Sequence, residues 1–368
     1  MHEDNFIFHE ESDYFDTSKD SRQERKRAKK KDRSKYKKTD LEKRPTEIHD
    51  TSLKLGIVSC IRPQQFFVSH DGTTTICTLR GALKKDTSKR KNLVIVGDYV
   101  RFTESEDGTG VIESIAPRKS VLSRADHLSQ QKEHLIAANI DQVMIVVSVI
   151  DPPLRAAIID RYLIAAKKGN LTPIIICNKI DLLESDEFDE NEREYERQAL
   201  FEYEQIYKKI GYQFIAVSAK TGENIQAITE AMKDRVTVFS GQSGSGKSSI
   251  INCATGLDLK VRQTVQRTRK GAHTTSYAQL YPLAFGGWCI DTPGIKSFGV
   301  WDLTESDLRN YFLEINEEAS ACKFPNCRHR GEPGCAIEQA IEQGRISGLR
   351  YDSYLSLLEG LRQEHLRR

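Results

Sequence analysis

The stretch Val236-Thr-Val-Phe-Ser-Gly241-Gln-Ser-Gly-Ser-Gly-Lys-Ser248-Ser-Ile250 decides how the rest of this 368-residue chain is read. The β-rich run 236–239 predicts a strand, and 248–254 predicts a helix. Between them stands Gly, four residues, then Gly-Lys-Ser, the spacing of a phosphate loop. Its glycines let consecutive backbone N–H groups turn inward around phosphates. The helix start adds the positive end of its dipole. The expected binding set is Gly241, Gln242, Ser243, Gly244, Ser245, Gly246, Lys247, Ser248 and Ser249. Lys247 would reach the outer phosphates and serve catalysis, and Ser248 would place its hydroxyl on Mg²⁺.

Working outward, residues 141–149 form a continuous β-branched run, the mark of a strand buried on both faces. A helix follows over 154–168, then a strand over 173–177. An acidic helical stretch covers 188–210, and further strands are expected at 214–217 and 236–239. This is the βαβ rhythm of a mostly parallel sheet with covering helices. Short motifs sit at the strand ends. Asn178-Lys179-Ile-Asp181 offers a carboxylate that can accept two hydrogen bonds from guanine. Ser218-Ala219-Lys220 can offer a backbone N–H toward the guanine oxygen. Asp291-Thr-Pro-Gly294 can hold Mg²⁺ through Asp291 and meet the γ-phosphate with the Gly294 N–H. Between them, Thr274 or Thr275 could complete the metal shell. Each short motif alone is weak; together, at the carboxyl ends of one sheet, they could converge on one nucleotide.

The order is informative. A conventional GTPase places the phosphate loop first and the base-reading motifs last. Here the base motifs come first, so the domain reads as circularly permuted. The permutation leaves the last 70 or so residues directly after the second switch, where they could report the γ-phosphate state.

Four domains are expected: a charged extension at 1–50 without a core, an OB-type barrel at 51–118, the permuted domain at 119–300 and a zinc-binding helical domain at 301–368. The barrel is read from strands at 53–61, 66–68, 73–79, 94–102 and 110–115, with Asp71-Gly72 as a turn. Lysines and arginines at Lys84, Lys85, Lys89, Arg90 and Lys91 would suit a phosphate backbone, or be a solvated loop. The net charge of +2 hides segregation. Residues 1–18 hold six acids and no Lys or Arg, and 19–45 hold fourteen basic and five acidic residues. That basic block could meet RNA phosphates, or be a solvated tail. Residues 184–206 carry ten acids against two arginines, best read as a solvated face.

No apolar run approaches the ~20 residues of a membrane span. The start, Met-His-Glu-Asp, lacks the features of a secretory leader, so a cytoplasmic protein is expected; a monomer is the expected state. Five of eight cysteines (Cys60, Cys77, Cys177, Cys253, Cys289) are scattered and expected to be buried thiols. The others form Cys322-x₄-Cys327-x-His329-x₅-Cys335. Three thiols and one imidazole are the complement of closed, structural zinc. Phe324 and Pro325 are expected to pack that loop.

With these motifs in place, residues 52–368 closely resemble the RsgA family of bacterial small ribosomal subunit biogenesis GTPases. The resemblance is carried by the permuted order, Lys270-Gly-Ala-His-Thr-Thr275, Asp291-Thr-Pro-Gly-Ile295, and Cys322-Lys-Phe-Pro-Asn-Cys-Arg-His329 with Glu332-Pro-Gly-Cys335. It implies GTP hydrolysis coupled to late 30S maturation, with 16S rRNA and other assembly factors as partners. Members usually carry Gly-Arg-His-Thr at the switch; Ala272 replaces that Arg and removes any guanidinium contact. Ile295 stands where many GTPases place a water-orienting Gln. Slow intrinsic turnover is therefore expected, with His273 as candidate for positioning the water. Two other readings compete: an RNA-binding module in which GTP is only an affinity switch, and, more distantly, a permuted GTPase of the large subunit.

Overall fold

The computed structural model describes residues 53–81, 93–126, 129–258, 278–291 and 303–366. The 1–50 extension and the basic residues Lys84, Lys85, Lys89, Arg90 and Lys91 lie outside them.

Strands β1 (Lys54–Arg62), β2 (Gln65–His70), β3 (Thr73–Leu79), β4 (Tyr99–Glu104) and β5 (Thr109–Ile115) run in the order β1-β2-β3-β5-β4. β4 pairs back onto β1 and closes the expected barrel. β3 and β5 are parallel, and the other barrel pairs are antiparallel. Alternate residues point inward, so Val58, Val68, Cys77, Val100, Phe102 and Ile112 fill the interior. The strand expected over 94–102 begins only at Tyr99. Val94 to Val96 are buried but enter a tight turn. The Ile95 N–H donates to the Asp98 carboxylate at 2.9 Å, and Gly97 takes φ +86°. A Cβ on Gly97 would lie 2.1 Å from the Ala138 carbonyl oxygen, so only glycine fits. Buried Asp98 is balanced by Arg118 at 2.7 Å.

An antiparallel hairpin, β6 (Val121–Asp126) and β7 (Ser129–Ala138), follows where the sequence suggested strand–helix alternation. Beyond it lie β8 (Gln142–Ser148), β9 (Thr172–Asn178), β10 (Gln213–Ala216), β11 (Val236–Gly241), β12 (Gln279–Pro282) and β13 (Trp288–Asp291). Their order is β10-β9-β8-β11-β13-β12. All neighbours are parallel except β12–β13, and β12 in turn pairs antiparallel with β1, joining this sheet to the barrel. β8 is buried at every residue. Its Val143, Ile145 and Val147 pack with Ile159 and Leu163 of α1 (Ala156–Lys168). Its Met144 and Val146 pack on the opposite face. There they meet Ile228 of α3 (Ile225–Met232) and Ile250 and Ile251 of α4 (Lys247–Thr255). The continuous apolar run thus serves two cores.

The acidic stretch is α2 (Glu190–Lys209), started by a reciprocal Asp189–Glu192 capping box. It buries Tyr203 and Tyr207 and leaves most of its glutamates in solvent. The chain ends in α5 (Glu305–Tyr311), α6 (Leu313–Glu318), α7 (Ala336–Glu342) and α8 (Gly348–Leu366). Among the described residues no helix is long and apolar enough to cross a membrane. Of the scattered thiols, Cys77, Cys177 and Cys289 are buried as expected, whereas Cys60 is half-buried and Cys253 is exposed. Cys253 projects from α4 with its Sγ 3.3 Å from the Ala219 carbonyl.

Candidate nucleotide site and metal centre

The parallel strands end level. Ser148 of β8 lies opposite Asn178 of β9, Ala216 of β10 opposite Cys177, and Gly241 of β11 opposite Val146. Their carboxyl ends therefore share one edge of the sheet, where open α/β sheets bind ligands. β13 runs beside β11 and brings the backbone of Asp291 to the same edge.

Asn178 holds this edge together. It is 2 % exposed. Its Nδ2 donates to the Ser245 carbonyl at 2.9 Å, and its Oδ1 accepts from the Ala219 N–H at 3.0 Å. One side chain thereby ties the phosphate loop to the Ser218-Ala219-Lys220 loop. Gly246, at φ +85°, permits the close approach, since a Cβ there would lie 2.2 Å from Asn178 Nδ2. Gly241 is equally constrained: its Cβ would fall 2.0 Å from the Val146 carbonyl oxygen.

Asp181 is the second residue of a short 3₁₀ turn, Ile180–Glu184. Its Oδ1 accepts from Ser218 Oγ at 2.6 Å, and its Oδ2 lies 3.8 Å from Lys220 Nζ. The Lys220 and Thr221 N–H groups both donate to Ser218 Oγ, at 3.2 and 3.1 Å. The two base motifs thus form one hydrogen-bonded unit with an inward carboxylate. Lys179 adopts φ +66° and sends its Nζ to the Asp151 carbonyl at 2.5 Å.

Within the phosphate loop, buried Ser245 donates to the Gln242 carbonyl at 2.9 Å. Ser243 and Gly244 form the exposed rim. Ser248 and Ser249 sit in the first turn of α4. Lys247 Nζ donates to the carbonyls of Gly241 and Gln242 at 2.9 and 2.6 Å. Burial pushes its ammonium down to about 8. Ala272, His273, Thr274, Thr275, Gly294 and Ile295 lie outside the described residues. Reading motifs alone missed residues 148–155, which lie across this edge. The Pro152 carbonyl accepts from Ser148 Oγ at 2.6 Å and from Gln242 Nε2 at 3.5 Å. The only sequence signal was an Asp-Pro pair directly after a fully buried strand.

The second constellation is Cys322, Cys327, His329 and Cys335, whose ligand atoms all lie within 4.8 Å of one another. His329 Nδ1 is 3.6 Å from the sulfurs of both Cys322 and Cys335. A tetrahedral zinc with ordinary Zn–S and Zn–N bonds separates nitrogen from sulfur by about 3.6 Å. The donor set therefore fits one four-coordinate metal ion. The fold presents it deliberately: His329 takes φ +58°, Cys335 stands at the start of α7, and the Ala336 N–H donates to Cys322 Sγ at 3.3 Å. Burial raises the Cys327 thiol to about 12 and lowers the His329 imidazole. A dication would reverse the thiol shift by its own charge. Phe324 and Pro325 do not pack the loop; both are exposed, with Lys323 Nζ 5.4 Å above the Phe324 ring.

Comparison with known proteins agrees with this geometry. The sequence pattern of the RsgA GTPase family matches residues 115–301. The small ribosomal subunit biogenesis GTPase RsgA of Bacteroides fragilis is 41% identical over 291 residues, 78% of this chain and 91% of that protein. Its counterpart from Chlorobaculum parvum is 40% identical over 317 residues, 83% of this chain and 97% of that one. The crystal structure of YjeQ from Thermotoga maritima superposes with a TM-score of 0.67 at 32% identity, covering 84% of this chain and 98% of that one. YloQ, described as a circularly permuted GTPase, gives 0.62 at 28% identity, covering 86% and 98%. With its phosphate loop placed after its base motifs on a shared sheet edge, between a closed barrel and a Cys₃His centre, the chain belongs to the RsgA family of GTP-hydrolysing enzymes.

Proposed function

We propose that this enzyme acts in late maturation of the 30S ribosomal subunit, binding 16S rRNA and hydrolysing GTP to GDP and phosphate when the subunit stimulates it. The observation that carries the site assignment is Asn178, which joins the phosphate loop to the base loop in one hydrogen-bonded frame. In this reading Asp181, held by Ser218, accepts from guanine N1–H and N2–H₂. The Ala219 N–H meets the guanine oxygen by sharing its bond to Asn178. Phosphates take the inward N–H groups of residues 241–249, and Lys247 leaves the loop carbonyls for the β- and γ-phosphates. Ser248, Asp291, Gly294 and Thr274 or Thr275 complete the Mg²⁺ and γ-phosphate contacts. Mg²⁺ neutralises charge developing on the phosphates. One zinc ion, held by Cys322, Cys327, His329 and Cys335, is structural, since four protein ligands leave no open position.

The barrel at 51–118, the permuted domain at 119–300 and the zinc domain at 301–368 are the working units. The protein is a cytoplasmic monomer that meets other 30S assembly factors on the subunit, and the basic block of the 1–50 extension contacts RNA. The names of the relatives support the ribosomal role. The decisive assay is GTP turnover with and without purified 30S subunits. Faster turnover with the subunit is expected; equal rates would remove the ribosomal reading. His273→Ala in the same assay tests the water-positioning role, which unchanged stimulated turnover would refute.

Lys247 gives a pH signature. Its pKa is about 8 in the protein alone, and phosphates raise it by their charge. The complex then holds more protons than the free enzyme, so binding takes up a proton above pH 8 and affinity falls as pH rises. Nucleotide affinity should be flat from pH 6.5 to 7.5 and then decline toward about one decade per pH unit. Lys247→Ala should abolish hydrolysis and remove this slope. A slope that persists in that variant would reassign the titration.

A further inference from the structure

Residues 148–155 contact both ends of the nucleotide site. The Pro152 carbonyl takes Gln242 of the phosphate loop, and the Asp151 carbonyl and carboxylate take Lys179 of the base motif, at 2.5 and 3.5 Å. The Pro152 ring also lies against Gly244, where a Cβ would be 3.6 Å away. α1 begins directly after this turn, and its first N–H, on Ala156, donates to Tyr203 of α2 at 3.2 Å. Wherever α1 sits, the turn beneath both loops follows.

A buried ionic group ties α1 to the C-terminal helices. Asp160 of α1 is 1 % exposed. It accepts from Arg350 Nη1, from Ser353 Oγ and from Tyr207 at 2.9 Å. Arg350 also donates to Glu314 of α6 at 2.6 Å and lies 4.2 Å above the Phe312 ring. The neighbouring positions on α8 turn toward the metal centre. Tyr351 donates to the His329 carbonyl at 2.7 Å, and the Tyr354 ring lies 6.4 Å from the His329 ring. α8 therefore grips α1 with residues 350 and 353 and the metal loop with 351 and 354.

We infer that Arg350 is a positioning residue for the nucleotide site. Through Asp160 it sets the seat of α1 and, with it, the Asp151–Pro152 turn under the phosphate and base loops. A buried ion pair is poor value as a stabiliser, because apolar side chains of similar volume often do as well. What it adds is direction: charge-assisted hydrogen bonds have one acceptable geometry, whereas apolar contacts slide. The metal-bearing helices thereby acquire a route to the nucleotide through α1.

This inference rests on the nucleotide-site assignment above, and the test separates the two. GDP affinity and the thermal midpoint are measured on the full, metal-loaded chain as wild type, as Arg350→Met and as Asp160→Asn/Arg350→Met. The single variant leaves Asp160 buried without its partner, so its midpoint drops sharply. The double variant removes the fully buried stranded charge, leaves only the half-buried Glu314 unpaired, and recovers most of the midpoint. GDP affinity should be about tenfold weaker in both variants, a size typical of coupling through packed networks. If affinity returns with the midpoint in the double variant, the pair is only structural and the inference fails. The same holds if neither variant changes affinity. If wild type itself does not bind GDP, the site assignment fails instead.

Discussion

Asp181→Asn is expected to turn the enzyme from GTP toward xanthosine triphosphate. The Asp181 side chain is 11% exposed and is held by Ser218 at 2.6 Å, so in the proposed site it presents fixed acceptors to the two donors of guanine. An asparagine offers one acceptor and one NH₂, which sets donor against donor. Sites built on such paired hydrogen bonds reject a mismatched partner by about 10⁴ or more, because buried polar groups are left unsatisfied. kcat/KM for GTP should fall by about three to four decades, while xanthosine triphosphate, with a carbonyl in place of the 2-amino group, should gain. The asparagine oxygen can still accept from Ser218, so the thermal midpoint should hold. Steady-state kinetics with both nucleotides checks this. Unchanged selectivity would remove Asp181 from the base site.

The second large effect concerns the metal. The core around the centre is built partly on the centre itself: Leu308, Phe312, Ile315, Ile337, Tyr354 and Leu358 are among the residues that pack with Cys327 and Cys335. Two of the four candidate ligands are thus part of the apolar cluster. Structural zinc contributes about 10–16 kcal/mol of binding free energy in small domains, and that energy is folding energy. Cys335→Ser, or a strong chelator, should therefore melt α7 and lower metal content from one ion per chain to near zero. Circular dichroism with elemental analysis reads both. A chain that keeps its helices after complete metal loss would show that this core stands alone. Because α8 also holds α1, nucleotide affinity should fall in the same preparation.

Much of this was legible in the residues, for identifiable reasons. Gly241 to Ser248 carries its own geometry, since phosphate loops need glycine where φ is positive. The run over β8 announced a two-sided strand because every position is apolar. The Cys₃His set was readable from its count and spacing. Illegible were features that depend on contacts distant in sequence. Val94-Ile95-Val96 has strand composition, yet Asp98 closes it into a turn whose partner is Arg118. Phe324 looks like core but faces solvent, because Leu308 and Phe312, supplied from another segment, already fill the interior. Asp160 and Arg350 are 190 residues apart, and no local pattern marks either as buried. The turn at Asp151–Pro152 went unread because its hydrogen bonds to both loops are taken by carbonyl oxygens, which every residue type possesses.

The approach of Gly246 to Asn178 has a consequence for how the ligand is weighed. A single missing methyl group lets the amide that organises the base loop lean directly on the phosphate loop. The pocket then behaves as one part with a shared entropy of ordering. Guanosine and inorganic diphosphate, offered as separate fragments, should help each other bind, because whichever arrives first stiffens the frame that the second requires. Affinity for the intact nucleotide belongs to the frame as a whole, and no partition of it between base and phosphates is unique.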